Sequence, residues 1–86
     1  MAKKDVEMLS WVKRGKQRRD ILIHIKGTQT PTEISKKSGY SLNNTSRVIN
    51  DLKNKGLLQI LNPKEKTGRL YELTQQGRII KERLTE

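Results

Sequence analysis

Between Gly39 and Gly56 the sequence admits one helix, and that helix has two chemically different faces. The stretch is SLNNTSRVINDLKNKG, residues 41–56. Ser41 is a good N-cap, because its hydroxyl can accept from an orphan backbone N–H. Gly56 is a good stop, because it can turn left-handed after a last turn carrying Lys53 and Lys55. Thr45, Val48, Ile49 and Leu52 fall on one stripe at helical spacing, the side expected to be buried. Asn43, Arg47, Asn50 and Asn54 fall opposite. A solvated helix face is usually built from Glu and Lys, whereas Asn is a poor helix former. Asn can both donate to and accept from a base edge, and Arg can grip guanine with two donors. Two readings follow: a surface helix that is Asn-rich by accident, or a helix that enters the DNA major groove.

The rest of the chain limits what such a helix can belong to. With 86 residues, a single domain over 1–86 is expected. A chain this short buries only roughly 60–65% of its unfolded surface. One Trp, two Tyr and no Phe make its core aliphatic. The net charge is +10, from 19 Lys and Arg against 9 Asp and Glu, which calls for a polyanionic partner. The surplus is densest in residues 1–26, which hold eight bases and three acids. No cysteine and a single histidine leave no metal site and no thiol chemistry. No cofactor is expected, and no small-molecule effector is evident. An enzyme is not expected either, since no nucleophile is paired with a base and no glycine loop could cradle phosphate. With no apolar run of membrane length and no signal peptide, a cytoplasmic, nucleoid-associated protein is expected.

Taken in order, residues 1–9 read as a mobile tail whose charged start precedes a small apolar cluster, Met8, Leu9, Trp11 and Val12. That cluster suits either the domain's own core or a second subunit. KRGKQRR follows, with Lys13, Arg14, Lys16, Arg18 and Arg19 as five bases in seven residues. Positive charge ahead of a helix opposes the macrodipole. The run is therefore either a set of phosphate contacts or a plain solvated face. Ile21 to Ile25 has β-branched residues, but Lys26-Gly27 looks like a helix end and favours a helix. His24 reads as a surface or core-edge residue. Thr30-Pro31-Thr32-Glu33 is a capping box with proline at the first helical position. This short helix carries Lys36 and Lys37, ends at Gly39, and is separated from Ser41 by Tyr40 alone. Helix, tight turn and second helix is the helix-turn-helix arrangement. Leu57–Leu61 and Arg69–Leu73 then read as strands around NPKEKTG, a hairpin whose tip carries Lys64, Lys66 and Arg69. The tip charges serve either solubility or backbone contact. Thr74 caps a last helix with Ile79, Ile80 and Leu84 as its stripe. Gly77 in the first turn suggests a close approach to the hairpin or another helix.

At this level the chain resembles the archaeal and bacterial winged helix-turn-helix regulators, near the MarR-like and ArsR-like classes. TPTEISKKSGYS, NTSRVINDLKNKGLLQ, NPKEKTGRLYELT and LTQQGR carry the resemblance, together covering most of residues 28–80. It implies a mainly α fold with a small β-hairpin: a three-helix core, a wing and a C-terminal helix. In that family the third core helix enters the major groove and the wing touches backbone or minor groove. Residue by residue, this puts Ser41, Asn43, Asn44, Ser46, Arg47 and Asn50 at the groove, and Lys64, Lys66 and Arg69 at the wing contacts. Two departures stand out. Ser38 occupies a usually apolar position, and the long flanking helices that dimerise MarR-like proteins are largely absent, so the dimer mode stays open. The cysteine ligands of ArsR-like metal sensors are missing.

The expected function is a sequence-specific regulator on double-stranded DNA. Lys13, Arg14, Lys16, Arg18, Arg19, Lys36, Lys37 and the wing would supply phosphate contacts, and Arg47 and the asparagines would supply readout. A homodimer built from the first and last helices is expected, through Met8, Leu9, Trp11, Val12, Ile79, Ile80 and Leu84. The competing readings are a non-specific architectural DNA-binding protein, or a protein- or RNA-interaction module on the same fold.

Overall fold

The computed structural model describes residues 3–86. Helix α1 (Lys3–Arg14) packs outside a three-helix core of α2 (Lys16–Ile23), α3 (Pro31–Ser38) and α4 (Leu42–Asn54). An antiparallel hairpin of β1 (Leu58–Ile60) and β2 (Tyr71–Leu73) follows, and α5 (Gln75–Leu84) returns to lie on α1. The winged helix arrangement expected from the sequence is the one observed.

Several boundaries differ: the strands expected over Leu57–Leu61 and Arg69–Leu73 are three residues each, and the helix expected through Ile25 ends at Ile23. The tail expected over residues 1–9 is helical from Lys3 onward, and Met1 and Ala2 lie outside the described residues. The apolar spacing that begins at Met8 continues through a helix whose inner side faces the core: Val12 is fully buried, with Met8, Leu9 and Trp11 packed partly against the core. Asp5 in the first turn complements the macrodipole and accepts from Gln76 Nε2 at 3.1 Å, which ties the start of α1 to α5.

The core is aliphatic, as the composition requires. Ile21, Leu22, Ile25, Ile34, Ile49, Leu52, Leu57 and Ile80 are among its fully enclosed members. Two residues assigned by the sequence reading to a second subunit are corrected here. Val12 and Ile80 are 0% exposed within one copy of the chain, so neither can touch a partner. Their positions on α1 and α5 are the inward ones, needed to seat the outer helices on the core.

In the hairpin, Leu58 pairs with Leu73, Gln59 with Glu72 and Ile60 with Tyr71. A third, one-residue partner extends the sheet. Gln29 donates its backbone N–H to the Tyr71 carbonyl at 3.0 Å and accepts from the Tyr71 N–H at 2.8 Å. Its buried side chain accepts from Lys26 N–H at 2.8 Å. This locks the wing's second strand to the segment that precedes α3. Thr74 caps α5 by accepting from Gly77 N–H at 3.1 Å, while its hydroxyl donates to the Gly56 carbonyl at 2.6 Å. A Cβ on Gly77 would collide with the Leu57 carbonyl, so the close approach of α5 to the hairpin requires glycine there. At the unusual Ser38, the hydroxyl donates to the Ser35 carbonyl at 3.3 Å and accepts from Tyr40 N–H at 3.4 Å. The polar residue therefore helps close the turn.

Candidate nucleic-acid interface

The presentation of α4 begins one helix earlier. Thr30 caps α3 by accepting from Glu33 N–H at 3.2 Å, and the Glu33 carboxylate accepts from Thr30 N–H at 3.0 Å. That reciprocal bond, helped by the Thr30 hydroxyl and by Lys37 and Lys36, holds the Glu33 carboxyl below its ordinary pKa. Gly39 adopts φ +81° and ends α3, a conformation that a Cβ would disfavour. The turn is then pinned twice. Ser35 Oγ donates to the Tyr40 carbonyl at 2.7 Å, and Tyr40 Oη donates to Asp20 Oδ2 at 2.6 Å. The second bond joins the turn to α2, and the carboxylate beside it raises the pKa of the Tyr40 hydroxyl. The angle at which α4 leaves the domain is thus set by three side chains outside it.

Along α4 the two faces separate as its spacing demands. Thr45, Val48, Ile49 and Leu52 are buried. Ser41, Asn43, Ser46, Arg47 and Asn50 are exposed, and Asn44 is half-buried. Ser41 Oγ accepts from Asn44 N–H at 3.2 Å, so the cap residue starts the exposed face. Arg47 Nη2 donates to Gln17 Oε1 at 3.4 Å, a long contact from α4 to α2 that leaves most guanidinium donors free. Thr45 Oγ1 is buried without a hydrogen-bond partner, so that residue serves the core through its methyl group alone.

Beyond the paired strands, side chains hold the tip of the wing. Asn62 Oδ1 accepts from Leu70 N–H at 2.7 Å, and its Nδ2 donates to the Gly68 carbonyl at 3.2 Å. Across the tip, Arg69 Nε donates to the Glu65 carbonyl at 2.9 Å. Arg69 is therefore half-buried and partly engaged, while Lys64 and Lys66 are exposed. Wing and helix share one concavity of about 480 Å³. Thr30, Leu42, Ser46, Lys66, Arg69 and Tyr71 are among the residues that line it. Two of the three residues assigned to the wing, Lys66 and Arg69, thus line the same concavity as Leu42 and Ser46 of α4. Lys36 and Lys37 are exposed in the last turn of α3.

The basic run 13–19 behaves differently. Gly15 separates α1 from α2, and the five bases diverge on either side of it. Lys16 borders a depression with Gln17, Arg47 and Asp51, next to the polar face. Arg18, which is half-buried and also lines that depression, is engaged within the domain: its guanidinium lies 4.2 Å from the Trp11 ring centroid and donates to the Trp11 carbonyl at 2.7 Å. Lys55 approaches the same ring at 5.1 Å, and Arg14 borders the groove beside it. Lys13 and Arg19 face Arg83, Leu84 and Glu86 at the end of α5, with no α4 residue among those lining that depression. Arg18 is thus a structural clamp, and Lys13 and Arg19 stand apart from the α4 face. Among the described residues one ion pair forms, Arg83 with Glu86 at 3.4 Å, so the basic surplus remains open to an external anion.

Three further residues belong to this arrangement: Gln17 beside Arg47, Leu42 in the concavity and Asn62 at the base of the wing. Only Leu42 has a signal in the sequence, as an apolar residue outside the buried stripe of α4.

A winged helix-turn-helix family model matches residues 13–86. No curated protein sequence matches the chain. Among solved structures, the reduced form of MarR from E. coli is 32% identical with a TM-score of 0.73, covering 94% of this chain and 64% of that one. A MarR family transcription regulator is 19% identical with a TM-score of 0.74, covering 92% and 59%. A homodimeric winged helix-turn-helix DNA-binding domain from Mycobacterium bovis, a possible ArsR-family regulator, is 21% identical with a TM-score of 0.65, covering 94% and 72%. The chain spans 59% to 64% of the length of the two MarR structures. No helix among the described residues is long and apolar enough to cross a membrane.

Proposed function

The chain belongs to the winged helix-turn-helix family, and from that premise we propose that it is a sequence-specific regulator of transcription acting on double-stranded DNA. The family is not an enzymatic one. The observation that carries the reading is the exposed polar face of α4, with Asn43, Arg47 and Asn50, on a helix whose Leu42 and Ser46 line one concavity with the wing residues Lys66 and Arg69. A major groove admits an α-helix, and Arg47 with Asn43 and Asn50 offers the donors and acceptors that distinguish base pairs there. Lys64, Lys66, Lys16, Lys36 and Lys37 would neutralise phosphates and fix the register without reading sequence. Binding-site selection from a random duplex pool tests this. An enriched motif is the expected result. Uniform binding with no motif would favour the architectural reading, which the net charge of +10 also allows.

The working form in this reading is a homodimer joined through the outer sides of α1 and α5. Val6 and Ile79 support it, as large apolar side chains left 51% and 38% exposed on those two helices. Leu9 and Leu84 are partly buried alongside them. A single recognition helix reads few base pairs against a genome of competing sites, and a two-fold pair removes that weakness. Sedimentation equilibrium at micromolar concentration should show a dimer, and Ile79→Glu should give a monomer. A wild-type monomer that binds one copy per site would overturn the dimer and leave the DNA reading intact.

A further inference from the structure

Leu42 is the first residue of α4 and is 47% exposed. The core does not need it, because the inward stripe of α4 is supplied by Thr45, Val48, Ile49 and Leu52. The helix start does not need it either, because Ser41 makes the cap. Its neighbours Ser41, Asn43 and Ser46 are exposed and polar. Leu42 is therefore an exposed apolar residue among polar neighbours in the first turns of α4. It lines the same concavity as the buried Ile49 and Tyr71 and the wing residues Lys66 and Arg69.

A major groove offers hydrogen-bond donors and acceptors on every base pair, and a single kind of apolar group, the C5-methyl of thymine. A leucine placed against guanine N7 and O6, or against the amino group of cytosine or adenine, would cover a polar edge with nothing to satisfy it. Against thymine it gains apolar contact instead. Both effects select the same base. We propose that Leu42 reads the C5-methyl group of thymine where α4 enters the major groove, so that the bound sites carry thymine opposite the helix start. The inference rests on the DNA-binding reading and adds a specificity residue to it.

The test replaces each thymine of the selected duplex in turn by deoxyuridine, which removes only the methyl group. Affinity is measured for wild type, Leu42→Ala and Leu42→Met. Burial of one methyl-sized group corresponds to about fourfold in affinity. At one or two thymines, deoxyuridine should therefore weaken wild type and Leu42→Met about fourfold, and leave Leu42→Ala unaffected. Each variant is its own reference, so a general loss of affinity or stability does not blur the ratio. Equal thymine-to-deoxyuridine ratios for wild type and Leu42→Ala at every position would overturn the assignment of Leu42 alone. A pool from which no motif emerges would remove the sequence-specific reading, and this inference with it.

Discussion

Helix α4 and the basic segment 13–19 are both dense in side chains suited to nucleic acid, yet they deliver them differently. Along α4 thirteen residues run without a break, and side chains three and four apart stay on one face. Along residues 13–19 the backbone leaves helical geometry at Gly15, with φ −110° and ψ 108°, and a new helix begins. The bases then spread over three neighbourhoods: Lys16 beside Arg47, Arg14 near Trp11, and Lys13 and Arg19 against the end of α5, with Arg18 bridging the first two by lining the Arg47 depression and stacking on Trp11. A high linear density of charge becomes a surface patch only where the backbone is continuous. The comparison predicts that substitutions in α4 change sequence preference, whereas those in the basic segment change stability, salt dependence or nothing, according to the neighbourhood.

The largest effect is expected at Arg47. Arg47→Ala should cost about 1–3 kcal/mol on the specific site and relax preference at one base pair. Binding to the site and to its single-base variants measures both. An equal loss on every sequence would place Arg47 on phosphate and remove the distinction between the two segments.

Arg18→Ala comes next, and its effect should be on folding. The guanidinium stacks on Trp11 and bonds its carbonyl, joining α1 to α2. A charged hydrogen bond and a cation–π contact together suggest a loss of about 2 kcal/mol in urea unfolding. The salt dependence of DNA binding should not change. A drop of about 0.9 in the salt slope would instead return Arg18 to the phosphate contacts.

These two arginines also show what the sequence could and could not reveal. Arg47 was legible because helical period alone places it opposite Val48, Ile49 and Leu52. The caps at Thr30, Ser41 and Thr74 were legible for a similar reason, since each acts on backbone within three residues. Gly77 was legible as a close approach, although not that Leu57 was the neighbour. Arg18 was not legible, because its partner is seven residues away across a helix break. The Tyr40–Asp20 bond and the Gln29–Tyr71 bridge span twenty and forty-two residues, and no local pattern announces them. The inward positions of Val12 and Ile80 depend on how α1 and α5 dock, which is a tertiary fact. An apolar stripe on an outer helix says that it packs, without saying whether against its own core or another chain.

Two double substitutions of equal charge sharpen the comparison further. Replacing Lys64 and Lys66 with alanine should lower the salt slope by about 1–2, since each phosphate contact contributes roughly 0.9. Replacing Lys13 and Arg19 with alanine removes the same charge from a region without α4 residues, and should leave the slope unchanged. Salt titrations on one duplex decide the matter. Equal reductions for both pairs would mean that net charge governs binding and that location within the fold does not.

The smallest effect concerns how α4 is held, through the cap of α3. The Glu33 carboxylate accepts from Thr30 N–H, and its pKa is lowered first by that bond, then by the Thr30 hydroxyl and the nearby lysines. A carboxyl whose folded pKa is depressed contributes stability above its unfolded value, about 4.3, and loses it as pH falls through the lower folded value. Glu33→Gln keeps a side-chain acceptor at the cap while removing the charge. Its melting temperature should therefore fall slightly below wild type at pH 7, and the gap should close as pH falls through the lowered pKa of the Glu33 carboxyl. Since Glu33 is exposed, added salt should shrink the neutral-pH gap as well. A gap that persists unchanged at acid pH would show that the glutamate acts through shape and hydrogen bonding alone, with its charge contributing nothing to the placement of α4.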